Sequence, residues 1–105
     1  MDLRKLEIFQ QVAWASSFSQ AAERMHMAQP AVSIAIRKLE ESLGVVLFDR
    51  SLRQPRLTAE GEQVLARADK LLHDAEELRR STDDLQNLLS GQLELAAPSM
   101  LATYF

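Results

Sequence analysis

Apolar residues recur along the first half of the chain with a helical period. Between Asp2 and Ala15, Leu6, Phe9 and Ala13 form one stripe and Ile8 with Val12 a second, the pattern of a helix sandwiched between neighbours. Ser17-Phe18-Ser19-Gln20 then matches a capping box, with Ser17 as cap and Gln20 reaching back to it. It opens a short helix to about Met25, whose Ala21 and Ala22 permit close approach of a neighbour. Only His26-Met27-Ala28 separates that helix from Gln29-Pro30, and proline suits a first helical turn because its missing donor would be unpaired there anyway. The next helix runs to about Leu43, where Gly44 supplies a left-handed end. Two helices joined by so short a turn, after a leading helix, predict a helix-turn-helix.

Leu47-Phe48-Asp49-Arg50 and Arg56-Leu57-Thr58 flank the turn-like Ser51-Leu52-Arg53-Gln54-Pro55, which predicts a short β-hairpin. Thr58 reads as the cap of a further helix, with Glu60 and Glu62 in the first turn where the helix dipole favours them. That helix is expected over residues 59–89, about 46 Å at 1.5 Å per residue. Gly61, Ala68, Ala75, Thr82 and Leu89 recur every seven residues, and Val64, Leu71, Leu78 and Leu85 recur three positions later; Leu65 and Leu72 widen the stripe at its start. A heptad seam of this length needs a partner. Packing against the chain's own first helix covers only part of it, so a second chain is expected along Val64, Ala68, Leu71, Leu72, Ala75, Leu78 and Leu85. Gly91 is expected to end the helix, and Leu93-Glu94-Leu95-Ala96 reads as a first strand of something further. The organisation expected is therefore a mainly α chain. Residues 1–58 form a winged helix-turn-helix (three helices plus a short β-hairpin wing), 59–90 a long linker and dimerisation helix, and 91–105 the truncated start of another domain.

Charge sharpens this division. The net charge of the 105 residues is −3. Residues 1–57 hold eight Lys/Arg against six Asp/Glu, a net of +2, whereas 58–105 hold four against nine, a net of −5. The basic half is the one with the helix-turn-helix. With 47% hydrophobic and 26% charged residues the chain is ordinary for a globular domain. It has no cysteine, which excludes a disulfide framework, a thiolate metal site and a cysteine nucleophile. No apolar run exceeds four residues, as at Val45 to Phe48, so no membrane span is expected, and the start lacks the apolar core of a signal peptide. A soluble, cytoplasmic chain is the expectation. His26 and His73 share no metal-ligand spacing, and the pairs Glu40-Glu41, Glu76-Glu77 and Asp83-Asp84 point in different directions on a helix. No enzyme, cofactor or metal site is expected.

At 100° per residue, Val32, Ile36, Leu39 and Leu43 share the core face of the third helix. Opposite lie Pro30, Ile34, Arg37 and Glu41, with Lys38 beside them and Gln29 and Ser33 on the near flank. Such a face suits a DNA major groove: Gln pairs with adenine, Arg with guanine, Ser with either, and an apolar side chain touches a thymine methyl. Arg37 has a second reading, a phosphate contact that positions the helix without reading sequence. Ile34 also has a plain reading, as a singly exposed apolar residue. Arg50, Arg53 and Arg56 on the hairpin suggest phosphate or minor-groove contact, with Arg53 nearest the tip and Arg50 able to pair with Asp49 or Glu41.

At these residues the sequence resembles the LysR-type transcriptional regulators over nearly its whole length. The resemblance is carried by Leu3, Leu6 and Phe9, by Ser17-Phe18-Ser19-Gln20-Ala21-Ala22-Glu23-Arg24-Met25, and by Gln29-Pro30-Ala31-Val32-Ser33 with Ile36-Arg37-Lys38-Leu39-Glu40. Leu43-Gly44, Leu47-Phe48-Asp49-Arg50 and Leu57-Thr58-Ala59-Glu60-Gly61 follow in order. It implies a winged helix-turn-helix that dimerises through antiparallel linker helices, binds interrupted palindromes in double-stranded DNA, and is commonly a tetramer at full length. It also implies a C-terminal domain that senses a small-molecule effector, whose start Gly91 and Leu93-Glu94-Leu95 would mark. By position, Gln29, Pro30, Ser33 and Arg37 would meet the major groove and Arg50 and Arg53 the wing contacts. Two departures stand out. Ala28 occupies the place of a Ser or Thr cap, worth about 1 kcal/mol. Ile34-Ala35 replaces a polar pair, which favours a thymine methyl over a purine as the contact of position 34.

Two other readings compete with this one. In one, the chain is a helical protein-interaction module whose seam binds another protein. In the other, it is the winged helix of a molybdate-responsive regulator, which shares the N-terminal architecture and differs in its sensor.

Overall fold

The helices of the first half begin and end where local groups satisfy their free backbone donors and acceptors. The computed structural model describes residues 1–95, with α1 over Leu3–Ala15, α2 over Phe18–Met25, α3 over Gln29–Leu43, β1 over Phe48–Asp49, β2 over Arg56–Leu57 and α4 over Ala59–Leu95. At the start of α1 the Asp2 carboxylate accepts the Lys5 N–H at 2.8 Å and pairs with the Lys5 ammonium at 2.7 Å. These bonds hold its pKa below the ordinary aspartate value. Ser17 Oγ accepts the Gln20 N–H at 3.1 Å, as expected of a cap. The reciprocal bond of the expected box is not among those of the described residues: Gln20 is exposed, and Ser17 Oγ lies 3.1 Å from Ser19 Oγ. Ala28 gives α3 no side-chain cap, and Gly44 closes α3 at φ 73° with its N–H on the Glu40 carbonyl.

The chain divides into two compact units, residues 1–72 and the chain from His73 onward. In the first, Phe9, Val12, Val32, Ile36, Leu39 and Leu47 are fully buried, joined by Leu6, Ile8, Ala21, Ala22, Phe48 and Ala68. The predicted stripes of α1 and α3 therefore supply most of the core, with Ala13 and Leu43 at its margin. Each fully buried large side chain contributes about 1.5–3 kcal/mol of transfer free energy. Phe48 carries β1 into this core: its ring meets those of Phe9 and Phe18 edge-on, with centroids 5.4 and 5.9 Å apart.

The hairpin is antiparallel, with Phe48 opposite Leu57 and Asp49 opposite Arg56. Its strands are two residues each, shorter than the expected four and three. A carboxylate on α3 explains part of the shortening, because Glu40 takes the Leu47 N–H at 2.7 Å in place of a strand partner.

The first turns of α4 belong to this same unit. Thr58 Oγ1 accepts the Gly61 N–H at 2.9 Å. Gly61 itself is buried with its Cα against the Leu47 carbonyl, where a Cβ has no room. Gln10 of α1 donates to Asp69 of α4 at 2.8 Å, and Val64, Leu65 and Leu72 pack against the core.

In the second unit α4 is a helix with an exposed surface, threaded by ion pairs at helical spacing. Arg79 meets Glu76 at 2.6 Å and Asp83 at 3.5 Å, and Arg80 meets Glu76 at 3.6 Å. Pairs at this spacing favour the helix, weakly where solvent screens them. The helix continues through Gly91 to Leu95, where a strand was expected. A strand over Leu93–Leu95 needs a neighbour to take its ladder bonds, and the described residues provide none; a helix satisfies the same groups within itself, at a glycine cost of about 1 kcal/mol. The rest of the expected strand, Ala96, and the remainder of 91–105 lie outside the described residues.

Candidate nucleic-acid interface

The turn between α2 and α3 fixes the helix that would enter a groove. His26 adopts the left-handed conformation at φ 55°, and the N–H groups of His26 and Met27 return to carbonyls of the last turn of α2, Met27 to Ala22 at 2.9 Å. Buried Ala21 and Ala22 let α2 lie close to its neighbours, and Val32, Ile36 and Leu39 anchor α3 from beneath. Gln29, Pro30, Ile34, Arg37 and Lys38 are then exposed along α3, with Ser33 half-buried. Ile34 is 51% exposed, an aliphatic side chain in the middle of a polar face.

The wing is fastened to α3 by Glu40. This carboxylate, 11% exposed, accepts the Leu47 N–H at 2.7 Å and the Phe48 N–H at 3.4 Å, and pairs with Arg50 at 3.2 Å. Arg50 also lies over the Phe18 ring, 5.4 Å from its centroid. Its partner is thus Glu40, in place of the expected Asp49 or Glu41. Asp49 instead accepts the Ser51 hydroxyl at 2.6 Å and the Ser51 N–H at 2.9 Å, which hold its pKa below the ordinary value and shape the turn toward the tip. Arg53 is exposed near the tip, as expected. The roles of Glu40 as the wing's fastener and of Phe18 beneath Arg50 are not expected from the sequence pattern. At 100° per residue Glu40 sits only 40° from Ile36, at the edge of the core stripe, and that position was the available signal.

Two clefts run between these elements. One, of about 280 Å³, is lined by Phe18, Ser33, Arg37, Arg50, Leu52, Arg53 and Pro55. The other, of about 250 Å³, brings Gln29 to Arg53, Gln54 and Pro55 beside Ser17 and Ser19. Among the described residues Arg37 and Arg53 form no ion pair. No three His, Cys, Asp or Glu side chains among the described residues group as metal ligands.

The residues expected along the seam separate into two sets. Ala68 is 2% exposed in the core of the first unit, and Val64 and Leu72 pack against that core. Ala68 is therefore closed to a second chain, because the domain's own helices cover it. Ala75 is half-buried, while Leu71, Leu78 and Leu85 are exposed, Leu78 by 69%. Leu88 joins them.

Residues 3–62 match the family profile described as bacterial regulatory helix-turn-helix protein, lysR family. The chain is similar to an HTH-type transcriptional regulator in the ibpB-leuC intergenic region of Azotobacter vinelandii, 48% identical over 96 residues, covering 91% of this chain and 67% of that protein. It is also similar to a probable RuBisCO transcriptional regulator of Cyanidioschyzon merolae, 39% identical over 102 residues, covering 97% of this chain and 34% of that protein. It thus spans about two thirds of the first of these relatives and a third of the second. Among solved structures, the BenM_DBD/catB site 1 DNA complex is 36% identical with a TM-score of 0.79, covering 82% of this chain and 97% of that one.

Proposed function

The chain belongs to the LysR family of bacterial regulatory helix-turn-helix proteins, and from that premise we propose that it is the DNA-binding part of a cytoplasmic transcriptional regulator that reads interrupted palindromes as a dimer. One observation carries this reading. Gln29, Pro30, Ile34, Arg37 and Lys38 stand exposed on one helix beside a wing that presents Arg53. This combines base-reading chemistry on α3 with phosphate-binding charge at its flank. Arg50 belongs to the same basic surface, although Glu40 takes up part of its charge. The similar BenM domain, solved with DNA, supports the reading.

Dimerisation falls to the part of α4 that leaves leucine exposed: Leu71, Leu78 and Leu85, with Ala75 as the small residue between them. Two recognition helices held by such a dimer enter major grooves one or more helical turns apart. Control by a small molecule, and assembly to a tetramer, belong in this reading to a C-terminal domain outside the 105 residues. The greater length of the relatives supports that assignment.

Selection from a random duplex library tests the reading. A two-fold symmetric enriched site is expected, with affinity falling roughly 10³–10⁵-fold between 50 and 200 mM salt for about six to ten phosphate contacts. Absence of any enriched site, or binding indifferent to salt, overturns it.

A further inference from the structure

We propose that Arg37, with Arg53, clamps one backbone phosphate in the cleft between α3 and the wing, and that Arg37 reads no base. The inference rests on the DNA-binding reading above and assigns a different task to each of two rows of α3. Ser33 and Arg37, four residues apart, line the cleft together with Phe18 and the wing residues Arg50, Leu52, Arg53 and Pro55. Ile34 and Lys38, one residue further along, turn about 100° away from that row and do not line it.

The geometry of duplex DNA decides what meets each row. A helix in the major groove and a wing at the adjacent minor groove have one sugar–phosphate strand between them. Whatever lines the space between helix and wing therefore faces that strand, and base edges lie beyond it. The charge of the cleft suits it. Arg50 already has Glu40 at 3.2 Å and the Phe18 ring beneath it. Arg37 and Arg53 have no carboxylate partner among the described residues. Two uncompensated guanidinium groups thus flank a cleft of about 280 Å³ with apolar walls of Phe18, Leu52 and Pro55, and guanidinium binds phosphate through paired N–H donors. Sequence discrimination by the middle of the helix then falls to the other row, with Ile34 at its centre.

The test compares the 105-residue chain with Arg37→Ala, Arg37→Lys and Ile34→Ala, each carried through site selection and salt titration on the selected duplex. Both positions are solvent-facing, and unchanged circular dichroism melts check that the variants fold. Arg37→Ala is expected to weaken selected and random duplexes alike, on the order of tenfold per subunit, and to reduce the salt slope by about one per subunit. The selected sequence stays the same. Arg37→Lys restores the slope, because a phosphate accepts a point charge. Ile34→Ala does the reverse: it erases a thymine preference and leaves the slope alone. The assignment is overturned if Arg37→Ala blurs a guanine position with the slope intact, or if Ile34→Ala leaves every position unchanged. A parent chain that selects no site overturns both this inference and the DNA-binding reading, whereas a parent that selects normally confines the failure to Arg37.

Discussion

The apolar residues of α4 have different surroundings on the two sides of residue 72. Up to it, Val64, Leu65, Ala68 and Leu72 join α1 and α3 in one core and Gly61 is pressed against the Leu47 carbonyl, with Leu71 on the opposite, exposed side. After it, Leu78, Leu85 and Leu88 recur at the same spacing and remain 69%, 42% and 43% exposed, on a helix supported by ion pairs of Arg79 and Arg80. Periodicity alone does not distinguish these stretches. The first stripe is covered by the chain's own helices, and the second has no cover among the described residues. A stripe of leucines on a charged helix is stable in water only marginally without a partner. The difference separates a stretch of α4 buried in its own unit from a stretch whose leucines stay exposed among the described residues.

Matched truncations give the largest effect and the most direct way to break the comparison. Leu39→Ala removes a fully buried side chain from α3 and is expected to cost about 2–5 kcal/mol. Leu78→Ala should stay within about 0.5 kcal/mol when the chain is dilute enough to be monomeric. Urea unfolding followed by circular dichroism measures both. Pairing Leu78→Lys with Leu85→Lys should leave monomer stability similarly untouched, and on the proposed dimer sedimentation should shift to monomer. If Leu78→Ala costs as much as Leu39→Ala in the monomer, the two-part division of α4 is wrong.

A smaller effect sharpens the comparison at a single atom. On a solvent-facing helical site, Gly→Ala is stabilising by about 0.8–1 kcal/mol. Gly61→Ala is expected to have the opposite sign, costing roughly 1–3 kcal/mol, because the new methyl meets the Leu47 carbonyl and the Leu57 side chain. A thermal melt that rises on this substitution would place Gly61 with the exposed seam instead of the core.

Gly61 also shows why some of the fold was legible in the sequence and some was not. Val32, Ile36 and Leu39 announced the core face of α3 because burial repeats with the helix, and Gly44 and Pro30 marked its ends through backbone chemistry confined to one or two residues. The exposed face, from Gln29 to Lys38, was legible for the same reason. Gly61 and Ala68 fit a heptad equally well whether a second chain or the domain itself lies against them, so their place depended on the tertiary arrangement. Glu40 was harder still. Its bonds to Leu47, Phe48 and Arg50 span seven to ten residues of chain across a turn, and no local pattern encodes them. Leu93-Glu94-Leu95 has strand-like alternation, yet a strand exists only beside another strand.

The smallest effect returns to the two regions through their exposed carboxylates. Asp49, on the wing, is held below its ordinary value of 3.8 first by the Ser51 hydroxyl and then by the Ser51 N–H. Glu76, in the second unit, is held below 4.5 first by its bonds to Arg79, whose own pKa is raised by the same contact. For both carboxylates the sign is the same. A folded value below the unfolded one gives stability that is present above the ordinary value and is lost as pH falls through the folded one. Their causes differ, and salt separates them. A hydroxyl donor carries no net charge, so Asp49 should titrate almost unchanged in 1 M salt and should move upward in Ser51→Ala. Glu76 is paired with a full charge at the surface, so its titration midpoint should rise toward 4.5 in the same salt. Carboxyl carbon shifts followed by NMR against pH resolve the two groups individually. A rise at Asp49 as large as that at Glu76 would mean that the wing is held by charge, with Arg56 opposite Asp49 in the hairpin as its source.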